Sequence, residues 1–212
     1  MHVVNDANAV ALSEVALSTD RADTVVVLWI GTGIGAGIVL DGRLYHGGAF
    51  RSGEIGHIDI GASLRCRCGL IGCLETVAAQ PSILGDADDK TVAGYLAGDD
   101  DSDARALGER VTRAARETAR LLSTLAGALD VTEFILGGPI AGDPLGPPLM
   151  REINERLALR VMSGFEQLVL RASTLGTHSL VFGAAAHAIR QELGVVITMP
   201  AGADEVGDSP AA

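Results

Sequence analysis

Short β-branched runs alternate with stretches of helical periodicity along this chain of 212 residues. Apolar runs bounded by turn residues predict buried strands, and apolar positions three or four residues apart predict amphipathic helices. Strands are expected at residues 24–30, 132–138 and 168–173. Helices are expected at residues 5–18, at 74–85 with an interruption at Pro81, at 103–129 and at 179–193. Because strands and helices alternate, the pattern favours an α/β fold.

Glycine and proline residues indicate where turns and loops separate these elements. The segment GTGIGAG follows the first strand, and Asp41 and Gly42 supply a tight turn, which together predict a β-hairpin. The segment LGPPLMREINERLALRVM predicts a helix that begins after its prolines. The acidic run GDDDSD is expected to be a loop leading into the long helix. Residues 199–212 are small, polar and rich in Pro and Gly, which predicts a disordered tail.

Composition and charge narrow the class of protein. Hydrophobic residues make up 48% of the chain and charged residues 20%, which is enough apolar material for a substantial core. The formal net charge of −11 argues against a nucleic-acid surface in this chain, because nucleic-acid binding needs clustered Lys and Arg. The first residues lack the basic stretch and apolar run typical of a leader peptide, and the longest apolar runs are far shorter than the ~20 residues of a membrane helix. We therefore expect a cytoplasmic protein with no membrane partner.

All three cysteines of the chain lie within eight residues of one another, at Cys66, Cys68 and Cys73, and His57 precedes them by nine residues. In a reducing compartment such thiols serve metal binding more often than disulfides. Three thiolates and one imidazole suit a tetrahedral, structural Zn²⁺ site with no open position. The alternative is three unrelated thiols and a surface histidine, but their clustering favours zinc.

The same residues carry a resemblance to a known family. GEIGH followed by CRCGLIGCLE closely resembles the corresponding motifs of the ROK family, whose members are sugar kinases and sugar-responsive repressors. NDANAVAL, IGTGIGAGIVLDGRLYHGG, FILGGPIAG and STLGTHSLVFGAAAHAI also resemble family segments, in the same order, over residues 3–193. The resemblance implies an actin-like ATPase (ribonuclease-H-like) lobe with a zinc-stapled loop. It divides the chain into a remnant of the first lobe (1–20), the C-terminal lobe (21–198) and the tail.

The resemblance also assigns roles to polar residues. It makes Asp6 the general base of the kinases, and it makes Asn5, Glu54, His57 and Glu75 ligands of sugar hydroxyl groups. Carboxylates suit that task, because each oxygen accepts hydrogen bonds from hydroxyl groups. Asp6 could instead be only a helix cap, and the glutamates could be surface charges. The glycines around Glu54 and the cysteine loop before Glu75 favour the functional interpretation.

Two glycine turns resemble the nucleotide-binding turns of the family. The implied contacts are Gly31, Thr32 and Gly33 at the phosphates, and Gly137 and Gly138 at the adenosine side. Backbone N–H groups unobstructed by Cβ atoms can close on an anion, although the first turn could equally be a tight hairpin entry. Pro139 follows the second turn and removes a backbone donor, which weakens the case for nucleotide binding.

The functional expectation combines these features. The family's first phosphate loop, Asp-x-Gly-Gly-Thr, is not found in this chain, so we expect no efficient kinase activity from it. A sugar-sensing part of a transcriptional regulator is favoured; the alternative is an ATP-dependent kinase of a hexose or N-acetylhexosamine, with ATP and Mg²⁺ as cofactors only in that case. A third possibility is a zinc-stapled remnant that binds no ligand. We also expect a homo-oligomer, because the closing helix carries apolar residues that lack part of their cover: Leu180, Val181, Phe182, Ala185 and Ala186.

Overall fold

One mixed β-sheet organises the protein. The computed structural model describes residues 4–17, 24–159, 167–173 and 178–195. Its strands are β1 (Val25–Ile30), β2 (Ile34–Leu40), β3 (Arg43–Leu44), β4 (Glu133–Gly137) and β5 (Val169–Ala172), in the spatial order β3-β2-β1-β4-β5. Strands β1, β2 and β3 pair antiparallel, whereas β4 and β5 run parallel to β1. The predicted strands and the predicted hairpin at the Asp41 turn are confirmed.

Helices cover both faces of this sheet. They are α1 (Asp6–Leu17), α2 (Glu75–Ala78), α3 (Gln80–Leu84), α4 (Asp89–Ala97), α5 (Ser102–Leu129), α6 (Pro139–Gly142), α7 (Gly146–Ala158) and α8 (Ser179–Leu193). Alternate residues of β1 enter two cores: Val26 and Leu28 pack with residues of α5 and α7, while Val25 and Val27 pack with α1. Burial on both faces explains why β1 is a continuous apolar run.

Two predicted helices differ from the structure, and a third helix was not predicted. The helix predicted at residues 74–85 is broken at Ala79, whose extended backbone separates α2 from α3 two residues before Pro81. Helix α7 begins at Gly146, so its prolines lie inside the first turn, where backbone N–H groups have no intrahelical partner to lose. Helix α4 was not predicted. The tail at 199–212 lies outside the described residues.

Close backbone contacts fix α1 against the rest of the fold. A Cβ atom on Gly183 of α8 would lie 1.7 Å from the carbonyl oxygen of Ala9, and one on Gly37 of β2 would lie 2.1 Å from that of Ala7. Only glycine permits either approach. The N-terminus of α1 is therefore held beside the end of β1 and the turn that follows it. None of the described helices combines the length and apolar character needed to cross a membrane.

Candidate functional site

The segment between β3 and α2 folds into a knuckle with little regular structure. Isolated antiparallel bridges join Asp59 to Cys73 and Arg65 to Ile71. The loop turns at Gly69, whose φ of 93° lies in the region that favours glycine. Its N–H donates to the carbonyl of Cys66. These turns fold the chain back on itself, so residues far apart in an extended loop come together at its centre.

The knuckle gathers the four predicted metal ligands. The ligand atoms of His57, Cys66, Cys68 and Cys73 all lie within 4.8 Å of one another. Cys66 Sγ is 3.7 Å from His57 Nδ1, and Cys68 Sγ is 3.6 Å from Cys73 Sγ. Bond lengths of ~2.3 Å to sulfur and ~2.0–2.1 Å to nitrogen give tetrahedral edges of about 3.6–3.8 Å. The cluster could therefore hold a metal ion with these residues as ligands.

Two of the three free thiols of this cluster, Cys68 and Cys73, differ in acidity. Burial raises the pKa of the Cys73 thiol to about 12. The pKa of Cys68 is lowered instead, chiefly by a hydrogen bond from the backbone N–H of Leu70. Without a cation, Cys73 is therefore protonated at neutral pH. A metal ion would supply the positive charge that makes its thiolate favourable.

A polar cleft of about 210 Å³ lies between the knuckle, the N-terminus of α1 and the turn after β1. Seven of the residues predicted from the sequence line it: Asn5, Asp6, Thr32, Gly33, Glu54, His57 and Glu75. Trp29 and Arg67, which the sequence interpretation did not single out, line it as well. The cleft thus gathers carboxylates from three segments that are distant in sequence.

Asn5 and Asp6 play different parts at the start of α1. Asn5 Oδ1 accepts a hydrogen bond of 2.9 Å from the backbone N–H of Ala7, so Asn5 supplies the side-chain cap. Asp6 is exposed and lies along the wall of the cleft. The capping function is therefore met by Asn5, which leaves the Asp6 carboxylate available to a ligand.

His57 connects the cysteine cluster to the cleft. Its Nδ1 faces Cys66, whereas its Nε2 lies 3.9 Å from Glu54 Oε2. A Cβ on Gly53 would come within 1.9 Å of the Ala36 carbonyl oxygen, so the residue before Glu54 is pressed against β2. A metal ion on Nδ1 would fix the imidazole ring and leave an Nε2–H donor facing the cleft.

Glu75 is a buried carboxylate, with 6% of its surface exposed. Its Oε2 accepts a hydrogen bond of 3.1 Å from the backbone N–H of Ile34. Arg67 lies against both of its oxygens, with Nε 2.7 Å from Oε1 and Nη2 3.3 Å from Oε2. Arg67 stands between two of the cysteines, and that position was the available signal for a role at this site.

The glycine turns divide between two cavities. The N–H of Gly31 donates to the carbonyl of Gly33 inside the turn, so Gly31 is engaged there while Thr32 and Gly33 face the cleft. Gly137 and Gly138 line a second, mainly apolar cavity of about 410 Å³. Trp29 lines both cavities and stands between them.

The known proteins that resemble this chain agree with one another. A family model described as "ROK family" matches residues 1–191. The chain is 34% identical over 205 residues to a glucokinase of Halalkalibacterium halodurans. The aligned region covers 85% of this chain and 61% of the glucokinase. The crystal structure of a ROK hexokinase from Thermus thermophilus matches with a TM-score of 0.71 and 34% identity, covering 86% of this chain and 64% of the hexokinase.

A regulator is also similar. The crystal structure of a ROK family transcriptional regulator, a homolog of the E. coli MLC protein, matches with a TM-score of 0.66 and 28% identity. It covers 86% of this chain and 50% of that regulator. The chain thus spans about half to two thirds of the length of these relatives.

The comparisons agree with the architecture. The mixed sheet flanked by helices is the actin-like ATPase fold of the ROK sugar kinases, as the family resemblance implied. The family model covers most of the chain, and the similar proteins are sugar kinases and a regulator of that same family. On these grounds, the chain belongs to the ROK family.

Proposed function

We propose that this chain binds a neutral hexose or N-acetylhexosamine in the cleft beside the knuckle. The observation that carries the proposal is the lining of that cleft, in which Asp6, Glu54 and Glu75 face the same 210 Å³ as His57 and Asn5. Carboxylate oxygens accept hydrogen bonds from hydroxyl groups, while imidazole and amide N–H groups donate to them. An uncharged polyol suits such a lining better than an anion, because the carboxylates would repel an anion.

The metal in this proposal is zinc, with His57, Cys66, Cys68 and Cys73 as its ligands. The sulfur-rich donor set and the 3.6–3.7 Å separations support this assignment. Four protein ligands leave no open position, so the ion has a structural task. When bound, it would hold the loop together and deprotonate the thiols.

Sugar sensing within a transcriptional regulator is our first candidate for the wider function. Pro139 begins helix α6 immediately after Gly138, at the edge of the 410 Å³ cavity. Its missing N–H removes one donor from the place where a nucleotide would lie in a kinase. The similarity to a ROK transcriptional regulator is compatible with this candidate.

Phosphoryl transfer is the second candidate, and a specific observation favours it. Asp6 lies on the wall of the sugar cleft, and a cavity large enough for part of a nucleotide lies on the other side of Trp29. In this candidate Asp6 would take the proton from a sugar hydroxyl, and ATP with Mg²⁺ would approach from the second cavity. Glucokinase, hexokinase and N-acetylmannosamine kinase are among the similar proteins.

Self-association is proposed from the closing helix. Val181 and Phe182 of α8 are 69% and 50% exposed. Apolar side chains exposed side by side are typical of contact surfaces between copies of a protein. Light scattering after size exclusion tests this proposal, and a monodisperse monomer at ~50 µM, where exposed apolar surface promotes association, would contradict it.

Calorimetry of the zinc-loaded protein with glucose, N-acetylmannosamine, N-acetylglucosamine and xylose tests sugar binding. The Glu54→Gln variant should bind at least about tenfold more weakly, because a hydrogen bond to a charged acceptor contributes roughly 1.5–3 kcal/mol. Asp59→Asn is the matched control, since Asp59 is an acid of the same loop that does not line the cleft. Equal affinity of Glu54→Gln and wild type, or no heat with any sugar, would contradict the proposal.

An assay of ADP release with the same sugars separates the two candidates. Turnover in the usual kinase range of about 1–100 per second would identify phosphoryl transfer. The Asp6→Asn variant should then lose turnover to a much greater extent than it loses sugar affinity. Sugar binding without turnover would favour the sensor.

A further inference from the structure

Arg67 connects the metal ligands to the buried acid of the cleft. It stands between Cys66 and Cys68, so two metal ligands bracket it in the sequence. Its guanidinium faces the Glu75 carboxylate with two nitrogens, Nε at 2.7 Å and Nη2 at 3.3 Å. This fork is the geometry in which arginine binds a carboxylate most specifically.

The two members of this ion pair lie in different environments. The Arg67 side chain is 66% exposed, whereas the Glu75 side chain is 7% exposed. An exposed pair contributes little, but a buried carboxylate that loses its partner is left with an unsatisfied charge. The consequence of losing Arg67 therefore falls on Glu75.

A neighbouring thiol makes the positive charge of Arg67 beside Glu75 more important. Cys66 Sγ lies 3.7 Å from Glu75 Oε1, the oxygen that also faces Arg67 Nε. As a metal ligand, Cys66 would be a thiolate and would repel that carboxylate oxygen. The guanidinium charge offsets this repulsion, so the thiolate and the carboxylate can lie side by side.

The glycine turn completes the setting of Arg67. A Cβ on Gly33 would lie 2.4 Å from Arg67 Nη2 and 2.7 Å from Glu75 Oε2. The guanidinium thus lies directly against the Gly33 backbone, and a larger residue at this position would displace it. The ion pair is enclosed by the metal knuckle on one side and by the turn after β1 on the other.

We propose that Arg67 is a positioning residue that holds Glu75 in place in the cleft, and that the metal ligands on either side fix Arg67 for this task. For sugar affinity, this inference rests on the proposed function. In this arrangement Glu75 contacts the sugar and Arg67 acts through Glu75. Without Arg67, the Glu75 carboxylate would keep only the hydrogen bond from the Ile34 N–H and could rotate about it.

The test compares three variants of the zinc-loaded protein. Arg67→Gln removes the charge, Arg67→Lys keeps the charge without the fork, and Arg65→Gln is the control. Arg65 belongs to the same loop but donates to the Gly69 carbonyl at 2.9 Å. Each protein is measured for zinc content, for the exchange rate of the Ile34 amide proton by NMR, and for affinity toward glucose and N-acetylmannosamine by calorimetry.

Arg67→Gln should exchange the Ile34 amide about tenfold faster and weaken sugar binding about tenfold or more, the range usual for residues that orient a ligand group. Arg67→Lys should show a smaller change of both quantities, and it serves as the test if Arg67→Gln does not fold. Arg65→Gln should match wild type in both.

Each remaining outcome has a defined meaning. Unchanged Ile34 exchange in Arg67→Gln, or a change of equal size in Arg65→Gln, would overturn the inference. Faster Ile34 exchange with unchanged sugar affinity would also overturn it, because Glu75 would then not need Arg67 for binding. Faster exchange in a protein whose wild type binds neither sugar would support the positioning role and count against the proposed function.

Discussion

Substituting Gly33 with alanine tests the packing of the cleft with a single methyl group. The φ of Gly33 lies outside the left-handed region, so alanine can adopt its backbone conformation. The new Cβ would lie 2.4 Å from Arg67 Nη2 and 2.7 Å from Glu75 Oε2. Both polar atoms must therefore move, while the main chain need not.

The required movements follow from these distances. Ordinary contact begins at 3.4 Å, so the Arg67 nitrogen is 1.0 Å too close (3.4 minus 2.4) and the Glu75 oxygen is 0.7 Å too close (3.4 minus 2.7). Misplacement of a binding group by 1 Å can cost up to about 100-fold, and we expect sugar affinity to fall by about 10–100-fold. The free energy of unfolding should fall by about 1–3 kcal/mol, because displacing Arg67 into solvent leaves the buried Glu75 carboxylate without its partner. The restriction that Gly→Ala places on the unfolded chain offsets part of this loss.

Fluorescence of Trp29 provides the assay. It is the single tryptophan of the chain and it lines the cleft, so its emission should respond to a bound sugar. Gly48→Ala is the matched control, since a Cβ at Gly48 would have no atom within 4 Å. Wild-type sugar affinity in Gly33→Ala would refute the reasoning.

Further predictions concern the metal and the packing of α1. Cys73→Ser should abolish bound zinc in elemental analysis and lower the Tm by about 8–16 °C. A metal present at 1,000 times its Kd contributes roughly 4 kcal/mol, and each kcal/mol shifts the Tm of a chain of this size by about 2–4 °C. An unchanged Tm would contradict the metal centre. Zinc affinity should rise with pH because the free Cys73 thiol, with a pKa of about 12, must lose its proton on binding; calorimetry in buffers of different ionisation enthalpy measures that proton, and no proton release would count against thiolate ligation. Gly183→Ala should cost about 1–3 kcal/mol in urea denaturation, because its Cβ would lie 1.7 Å from the Ala9 carbonyl oxygen and α8 would have to move away from α1; unaltered stability would be inconsistent with that contact.

Strong periodicity made much of the fold predictable. Helix α8 was predicted with the bounds that it has, and α5 differs by one residue at its start, where Asp101 caps the helix. Helix α4 was missed because it is short and none of its residues is fully buried, so Val92 and Tyr95, which pack against the core, form only a brief apolar stripe. Its start was still readable, since Asp88 accepts a hydrogen bond from the backbone N–H of Thr91.

The site was predictable where residue types cluster in the sequence, and less so where the fold joins distant segments. The cluster of His57 with the three cysteines, which could hold a metal ion, followed from their spacing in the sequence. Glu75 and Ile34, whose N–H donates to the Glu75 carboxylate, are 41 residues apart in the sequence, and no local sequence pattern predicts their contact. The place of Trp29 between two cavities likewise depends on the ends of β1 and β4 lying side by side.

The cleft has two walls that depend on different parts of the fold. One wall carries Glu54 and Glu75. Glu54 lies beside His57 Nε2, and Glu75 pairs with Arg67, so both acids adjoin the cysteine cluster. The other wall carries Asn5 and Asp6 on α1, a helix held by its packing against β2 and α8. Loss of the metal would therefore release the first wall and leave the second standing. Sugar affinity should follow metal content for this reason, because hydroxyl groups on opposite sides of a sugar ring need both walls at once.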